Sequence, residues 1–137
     1  MTDYALTATV TRPYETVLTE VRAALAEQGF GILTEIDLRA TLKAKLDVDI
    51  EPQIILGACR PPLALAALRA EPSIGLLLPC NVVVRSSDPD TTVVEAVDPQ
   101  MMVSLTDNPA MQVVADEAAT RLRAALAAVS DPAGATV

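Results

Sequence analysis

Apolar and polar positions follow two different periods along this chain, and the period separates helices from strands. Between Tyr14 and Gln28 the apolar residues recur on one face, after a proline suited to a helix start and before Gly29, which suits a helix end. A second one-sided segment follows Asn108 and Pro109, which favour a helix start. Its apolar positions are Met111, Val114, Ala118, Leu122, Ala125, Leu126 and Val129. The pattern predicts two amphipathic helices.

Alternating, β-branched segments predict strands at Tyr4–Thr11, Phe30–Asp37 and Thr91–Val97. The segment Leu38–Leu46 has the spacing of a short helix. We expect the strand at Thr91–Val97 to pair as a hairpin with Asn81–Arg85, since a turn-forming Ser-Ser-Asp-Pro-Asp sequence separates them.

The central part of the chain, Gln53–Arg85, contains both cysteines. Its pattern predicts a buried strand at Gln53–Ala58, a turn, and a short helix at Leu63–Ala70. A long second strand is then expected from Ile74 onward, interrupted at Pro79 because proline cannot donate to a β-ladder.

These elements predict an α+β fold, a two-layer sandwich of one mixed sheet of about five or six strands with helices packed on one face. We expect residues 1–130 to form a single domain and 131–137 to form a frayed tail. A short helical turn at Gln100–Leu105 carries Met101 and Met102.

The net charge of −8 argues against phosphate backbones and anionic lipid surfaces as partners. No apolar run approaches the roughly 20 residues of a membrane-spanning helix. The first residues lack the basic segment of a secretory signal. We therefore expect a cytoplasmic protein with neither nucleic acid nor membrane as a partner.

The chain contains no histidine, which excludes Ser-His and Cys-His pairs and imidazole metal ligands. Carboxylates could still supply an acid and a base if Asp37, Glu35 or Asp98 converged in a buried site. The alternative is that these residues cap turns and solubilise strand ends.

Cys59 is the main candidate for thiol chemistry, because it ends a strand just before a helix. A helix N-terminus and the neighbouring Arg60 both favour a thiolate. Arg60 is also a candidate for orienting an anionic ligand at the helix entrance. The alternative is a small buried cysteine packed in a tight turn.

Cys80 is a possible partner for Cys59, either as a resolving thiol or as a disulfide partner if the two Cα atoms lie within about 7 Å. Two thiols across a dimer axis would provide four soft-metal ligands, but the spacing is not that of a zinc ribbon and we predict no metal. Met101 and Met102 either complete a soft-ligand pocket or fill gaps in an aliphatic core. Asn81, directly after Cys80, is a further candidate for ligand binding.

Several motifs together resemble a known family. They are Leu-Gly-Ala-Cys-Arg-Pro-Pro at residues 56–62, Leu-Pro-Cys-Asn-Val at 78–82, Gly29-Phe30-Gly31, and Asp98-Pro99 before the methionine pair. This order resembles the bacterial and archaeal family called domain of unknown function 302, over Tyr4–Val129. The resemblance implies a two-layer α+β domain that forms homodimers, and it implies no assigned reaction. Many members have Asn-Pro where this chain has Arg60-Pro61.

Three functions follow from these observations. The first, which we favour, is a small non-enzymatic homodimeric domain that binds a small ligand or partner. The alternative is a thiol-based redox or sulfur-handling protein that uses Cys59 with Cys80. The third is an enzyme that works through carboxylates. The identity of any cofactor is not predicted.

Overall fold

The computed structural model describes residues 3–131, so residues 132–137 of the predicted tail lie outside the described part of the chain. The elements are β1 (Ala5–Val10), α1 (Tyr14–Glu27), β2 (Gly31–Asp37), α2 (Leu38–Leu46), β3 (Gln53–Cys59), α3 (Pro61–Ala70), a 3₁₀ helix (Pro72–Leu77), β4 (Cys80–Asp88), β5 (Thr91–Val97), α4 (Gln100–Thr106) and α5 (Met111–Val129).

The five strands form one open sheet in the order β1-β5-β4-β3-β2, which confirms the predicted α+β class. The sheet differs from the expected mixed sheet in one respect, because every neighbouring pair is antiparallel. The reason lies in the connection between β3 and β4. Helix α3 packs on α5 and on the 3₁₀ helix, so the chain turns back beside β3 and enters β4 in the opposite direction.

The main core lies between one face of the sheet and the helices α1 and α5. Alternate residues of the central strands, among them Leu56, Val82 and Val94, point into it and are fully or almost fully buried. Leu122 of α5 faces them from the helical layer. Burying one such side chain stabilises the fold by about 1.5–3 kcal/mol. All seven apolar positions predicted for α5 are buried, so the predicted one-faced helix is confirmed.

The apolar run that begins at Ile74 does not form the predicted strand. Residues 72–77 form a 3₁₀ helix instead, with Ile74 N–H donating to the Glu71 carbonyl and Leu78 N–H to that of Gly75. Ile74 is buried in a smaller second cluster with side chains of α3, α4 and α5. Contacts with these helices therefore decide the local conformation, and β4 begins only after Pro79.

Among the described residues, no helix has the combination of length and hydrophobicity that crossing a bilayer requires.

Asp131, which follows α5, connects the end of that helix to the residues after β1. Its carboxylate accepts hydrogen bonds from the backbone N–H of Thr11 at 3.2 Å and from the Thr11 hydroxyl at 2.7 Å. It also forms an ion pair with Arg12 at 3.4 Å. The hydrogen bond from the Thr11 side chain is the main cause, and Arg12 a lesser one, of a lowered pKa for Asp131.

We expect Asp131→Asn to lower the stability at pH 7, because the amide accepts these bonds less strongly and carries no charge for Arg12. Since the folded-state pKa of Asp131 is lowered, its contribution is present above the unfolded-state pKa and is lost as the pH falls through the folded-state value. The difference in the free energy of unfolding between Asp131→Asn and wild type, measured with urea, is therefore expected to be smaller in acid than at pH 7. Asp90→Asn, in the exposed β4–β5 turn, is the control and is expected to show no such trend.

Candidate functional site

Four sulfur-containing residues lie near the end of the sheet where β3 finishes and β4 begins, and we call them the sulfur corner: Cys59, Cys80, Met101 and Met102. The strand register places Ala58 opposite Cys80, so Cys59 is one residue beyond the partner of Cys80 and, by strand alternation, its side chain leaves the opposite face of the sheet. Helix α4, which follows β5 directly, brings both methionines to the same place. Both cysteines are free thiols.

Two small cavities adjoin the sulfur corner. The first has a volume of about 30 Å³ and is lined by Cys59, Arg60, Cys80 and Met102 with apolar neighbours. The second, of about 80 Å³, is lined by Cys80, Met102, Met101, Asp98 and apolar side chains. A water molecule needs roughly 10–15 Å³ of such volume, whereas pockets for organic ligands measure about 300–1,000 Å³. These cavities therefore match an ion or a ligand of a few atoms.

Cys80 lies deep in this corner and is only 8% exposed. Burial, and to a lesser degree the neighbouring Cys59, raise the pKa of the Cys80 thiol to about 11. Cys80 is therefore a protonated thiol at neutral pH and a poor nucleophile by itself.

The start of α3 stabilises a Cys59 thiolate less than a typical helix N-terminus would. Pro61 and Pro62 occupy its first two positions and have no N–H to donate. The next two N–H groups, those of Leu63 and Ala64, both donate to the Arg60 carbonyl. The first four residues of α3 therefore leave no unused N–H to stabilise a Cys59 thiolate.

The Arg60 side chain connects the β3–α3 turn to α5. Its NH1 group lies 3.3 Å from a carboxylate oxygen of Glu117, and that oxygen also accepts from Arg121 at 3.2 Å. Arg121 in turn donates to the carbonyl of Gln28 at 3.3 Å. This network joins the sulfur corner to α5 and to the end of α1.

The Nε–H of Arg60 is buried and has no acceptor among the described residues. It lies against Gly29, where an added Cβ would be 3.0 Å from Nε. Gly29 also has a φ of 81°, in the left-handed region that favours glycine. Gly29 therefore ends α1 and makes room for Arg60.

Gly57 allows β3 and the residue that precedes β4 to approach each other closely. A Cβ at this position would lie 2.1 Å from the Thr34 hydroxyl oxygen and 2.8 Å from the Pro79 ring. The absence of a side chain thus lets Pro79 pack against β3 immediately before Cys80. The sequence contained a signal for this role, because a glycine inside a strand often marks a close approach.

The other candidates from the sequence lie elsewhere or have local partners. Asp37 lies opposite Ile54, at the far end of β2 from the sulfur corner, and caps α2 by accepting from Ala40 N–H at 2.9 Å. Asn81 is exposed. Glu35 pairs with Arg22 of α1.

Asp98 is at the sulfur-corner end of the sheet and accepts from the backbone N–H of Gln100 at 3.0 Å. Asp98 and Asp37 therefore lie at opposite ends of the sheet and do not form a carboxylate pair.

The sheet order and the helical layer define a small two-layer α+β domain with two small cavities at one end of the sheet. The family model "Domain of unknown function DUF302" matches residues 6–129, and the chain belongs to this family. A crystal structure of an uncharacterized conserved DUF302 protein from Bacillus stearothermophilus is similar to this chain, with a TM-score of 0.85 and 27% identity. The similarity covers 93% of this chain and 99% of that chain. No curated protein matches.

Proposed function

We propose that this chain is a non-enzymatic domain that forms a homodimer and holds a ligand of a few atoms. The observation that carries the proposal is a surface on the sheet face opposite the main core, which we call the β-surface. It is formed by outward-facing residues of β1, β5 and β4, namely Ala5, Thr7, Thr9, Asn81, Val83, Arg85 and Glu95, with Tyr4 and the partly buried Val97 beside them.

The charges of the β-surface favour a second copy of the chain as its occupant. Its two charged residues neutralise each other, since Arg85 Nε lies 3.0 Å from a carboxylate oxygen of Glu95. The chain as a whole carries a charge of −8. Two copies therefore repel each other least when they meet through this neutral surface.

The shape of the β-surface also favours self-association. A concavity of about 320 Å³ lies between Tyr4, Asn81, Val83, Glu95 and Val97. Tyr4 lies at its edge with 62% of its surface exposed, and tyrosine is common at the centres of interfaces. A two-fold axis places the same patch on both partners, so each Tyr4 faces the concavity of the other copy.

We expect wild type to sediment as a dimer and Val83→Glu to shift the equilibrium towards monomer, by about 100-fold or more in the dissociation constant. The physical reason is that the substitution places two buried like charges across the axis. Analytical ultracentrifugation over a range of concentrations measures this. Val113→Glu on α5 is the matched control, because Val113 is 78% exposed and lies on the other layer.

If wild type remained monomeric at high concentration, the proposed homodimer would be contradicted. The same conclusion would follow if Val83→Glu and Val113→Glu dimerised equally well. Circular dichroism of Val83→Glu establishes that the variant is folded before its association is interpreted.

Several features support a binding role over catalysis. The carboxylates singled out from the sequence have local structural partners. The buried Cys80 thiol is protonated at neutral pH, since its pKa is raised to about 11. The cavities beside the sulfur corner are also smaller than those that enclose metabolites.

Thiol redox chemistry is the second candidate, because the partly exposed Cys59 lines the same cavity as Cys80. We expect iodoacetamide to modify Cys59 before Cys80 in the folded protein, as measured by mass spectrometry of peptides at several pH values. A Cys59 that stays unmodified until the protein unfolds would exclude this candidate.

A further inference from the structure

We propose that an apolar groove lined by the 3₁₀ helix and α4 docks a basic amphipathic helix of a partner protein. We call it the leucine groove, and it encloses a concavity of about 400 Å³ between Glu71, Ser73, Leu76, Leu77, Leu105 and Thr106. The groove shares no lining residue with the concavity of the β-surface. This interaction therefore goes beyond the proposed homodimer and does not depend on it.

The three leucines of the groove are exposed although they belong to apolar segments. Leu76 is 88% exposed and Leu105 is 64% exposed. By contrast, Ile74 of the same 3₁₀ helix is buried in the second cluster. A single exposed leucine is ordinary on a protein surface, whereas several that line one concavity are typical of an interaction site.

The charges around the leucine groove favour a cationic partner. Glu71 lines the groove, Asp107 is exposed directly after its last lining residue, and Asp98 lines the adjoining second cavity. None of these three carboxylates forms an ion pair with a described residue. Arg69, the closest basic residue along the chain, lines neither the groove nor the second cavity. The negative charge here is therefore free to attract lysine or arginine.

The same charges disfavour a second copy of the chain as the occupant. Each copy carries a charge of −8, so a contact through the groove would bring like charges together. The β-surface is different, since its two charged residues neutralise each other. The leucine groove thus fits a partner of opposite charge.

The second cavity gives the partner a place for an anchoring side chain. It has a volume of about 80 Å³ and shares Leu77 and Leu105 with the groove. Asp98 is the one charged residue in its lining. Side chains that contribute most to an interface commonly fill pockets of this kind. In the complex, a leucine of the partner enters the second cavity and a neighbouring lysine pairs with Asp98.

The walls of the groove determine the conformation of the partner segment. Both walls are helical, so an extended peptide finds no strand edge to extend here. The edge strands of the sheet are β1 and β2, which do not line the groove. A helix with leucines at i, i+3 and i+4 presents one apolar ridge to such a groove, and lysines beside the ridge face the carboxylates.

The test is fluorescence anisotropy of the full chain with two labelled helical peptides of about 14 residues. Both peptides have the same leucine ridge, and the remaining positions are lysine in one and glutamate in the other. Wild type is expected to bind the lysine peptide at least about tenfold more tightly, with a difference that shrinks at high salt. Equal affinity for the two peptides would contradict a cationic partner.

Substitutions in the groove locate the binding site. Leu76→Gln and Leu105→Gln are each expected to weaken binding of the lysine peptide by about tenfold, because apolar contact is lost. Glu71→Gln is expected to weaken it by about threefold and to reduce its salt dependence. Val113→Gln is the matched control and is expected to keep the wild-type affinity, because Val113 is 78% exposed on α5 and lies outside the groove.

The proposal is wrong if wild type binds neither peptide, or if the folded Leu76→Gln/Leu105→Gln double variant binds the lysine peptide as tightly as wild type. Two further measurements test other occupants. Weaker self-association of the double variant in sedimentation would assign the groove to a second copy of the chain. Binding of wild type to phosphatidylcholine vesicles that is lost in the double variant would assign it to a membrane. Either result would overturn the proposal.

Discussion

Gly57→Ala is expected to destabilise the fold by about 2–3 kcal/mol, because the new methyl group overlaps the Thr34 hydroxyl and the Pro79 ring. Both neighbours must move: Thr34 belongs to β2, and Pro79 leads into β4 through Cys80. The smaller conformational freedom of alanine in the unfolded chain offsets only about 0.5–1 kcal/mol. Urea denaturation followed by circular dichroism measures the free energy of unfolding.

Gly75→Ala provides the matched control. Gly75 lies in the 3₁₀ helix, and a Cβ added there has no heavy atom within 4 Å. Its stability is therefore expected to stay within about 0.5 kcal/mol of wild type. Thr34→Ala combined with Gly57→Ala should recover part of the loss, because the hydroxyl is the closer of the two obstacles. If Gly57→Ala were as stable as Gly75→Ala, the close approach of Pro79 to β3 would be refuted.

Alkaline pH is expected to destabilise the protein through Cys80. The pKa of this thiol is raised from 9.0 to about 11, first by burial and second by Cys59. In the unfolded chain the thiol ionises at the lower value, so its contribution is fully present below pH 9 and is lost as the pH rises through about 11. A shift of this size corresponds to roughly 2–3 kcal/mol. Guanidinium unfolding at several pH values measures it.

The comparison with Cys80→Ala isolates this contribution. Tyr14 also has a raised pKa, to about 12, mainly through burial and then through Asp37 and Glu15. Its effect is common to wild type and variant. Cys80→Ala should therefore lose less stability than wild type between pH 9 and 11, whereas Cys59→Ala should retain most of the wild-type loss. Parallel curves for all three proteins would contradict a buried, protonated Cys80.

The sequence predicted the elements whose hydrophobic periodicity is visible within a single segment. The face of α5 from Met111 to Val129 is continuous over five turns, and α2 begins and ends where its spacing indicated. The run after Ile74 has no such periodicity, because apolar residues occupy every position but Gly75 from 74 to 78. Packing of Ile74 against α3, α4 and α5 decides its conformation, and a single segment does not contain that information.

The sequence also indicated that Cys59 and Cys80 lie at the same end of the sheet, because they stand on either side of one connection between neighbouring strands. It could not separate Asp37 from this group, since doing so requires the direction of β2 relative to β3. The antiparallel register puts Asp37 at the other end of the sheet. Glu117 was missed, because nothing in a helical sequence shows which exposed acid will meet Arg60.

The paired prolines at the start of α3 restrict the backbone beside Cys59. Pyrrolidine rings fix the φ angles of residues 61 and 62, so the backbone just after Cys59 has little torsional freedom. A reagent that reaches the Cys59 thiol therefore meets a group whose backbone is held in one place, so its rate of modification reports access to the sulfur atom and not rearrangement of the turn.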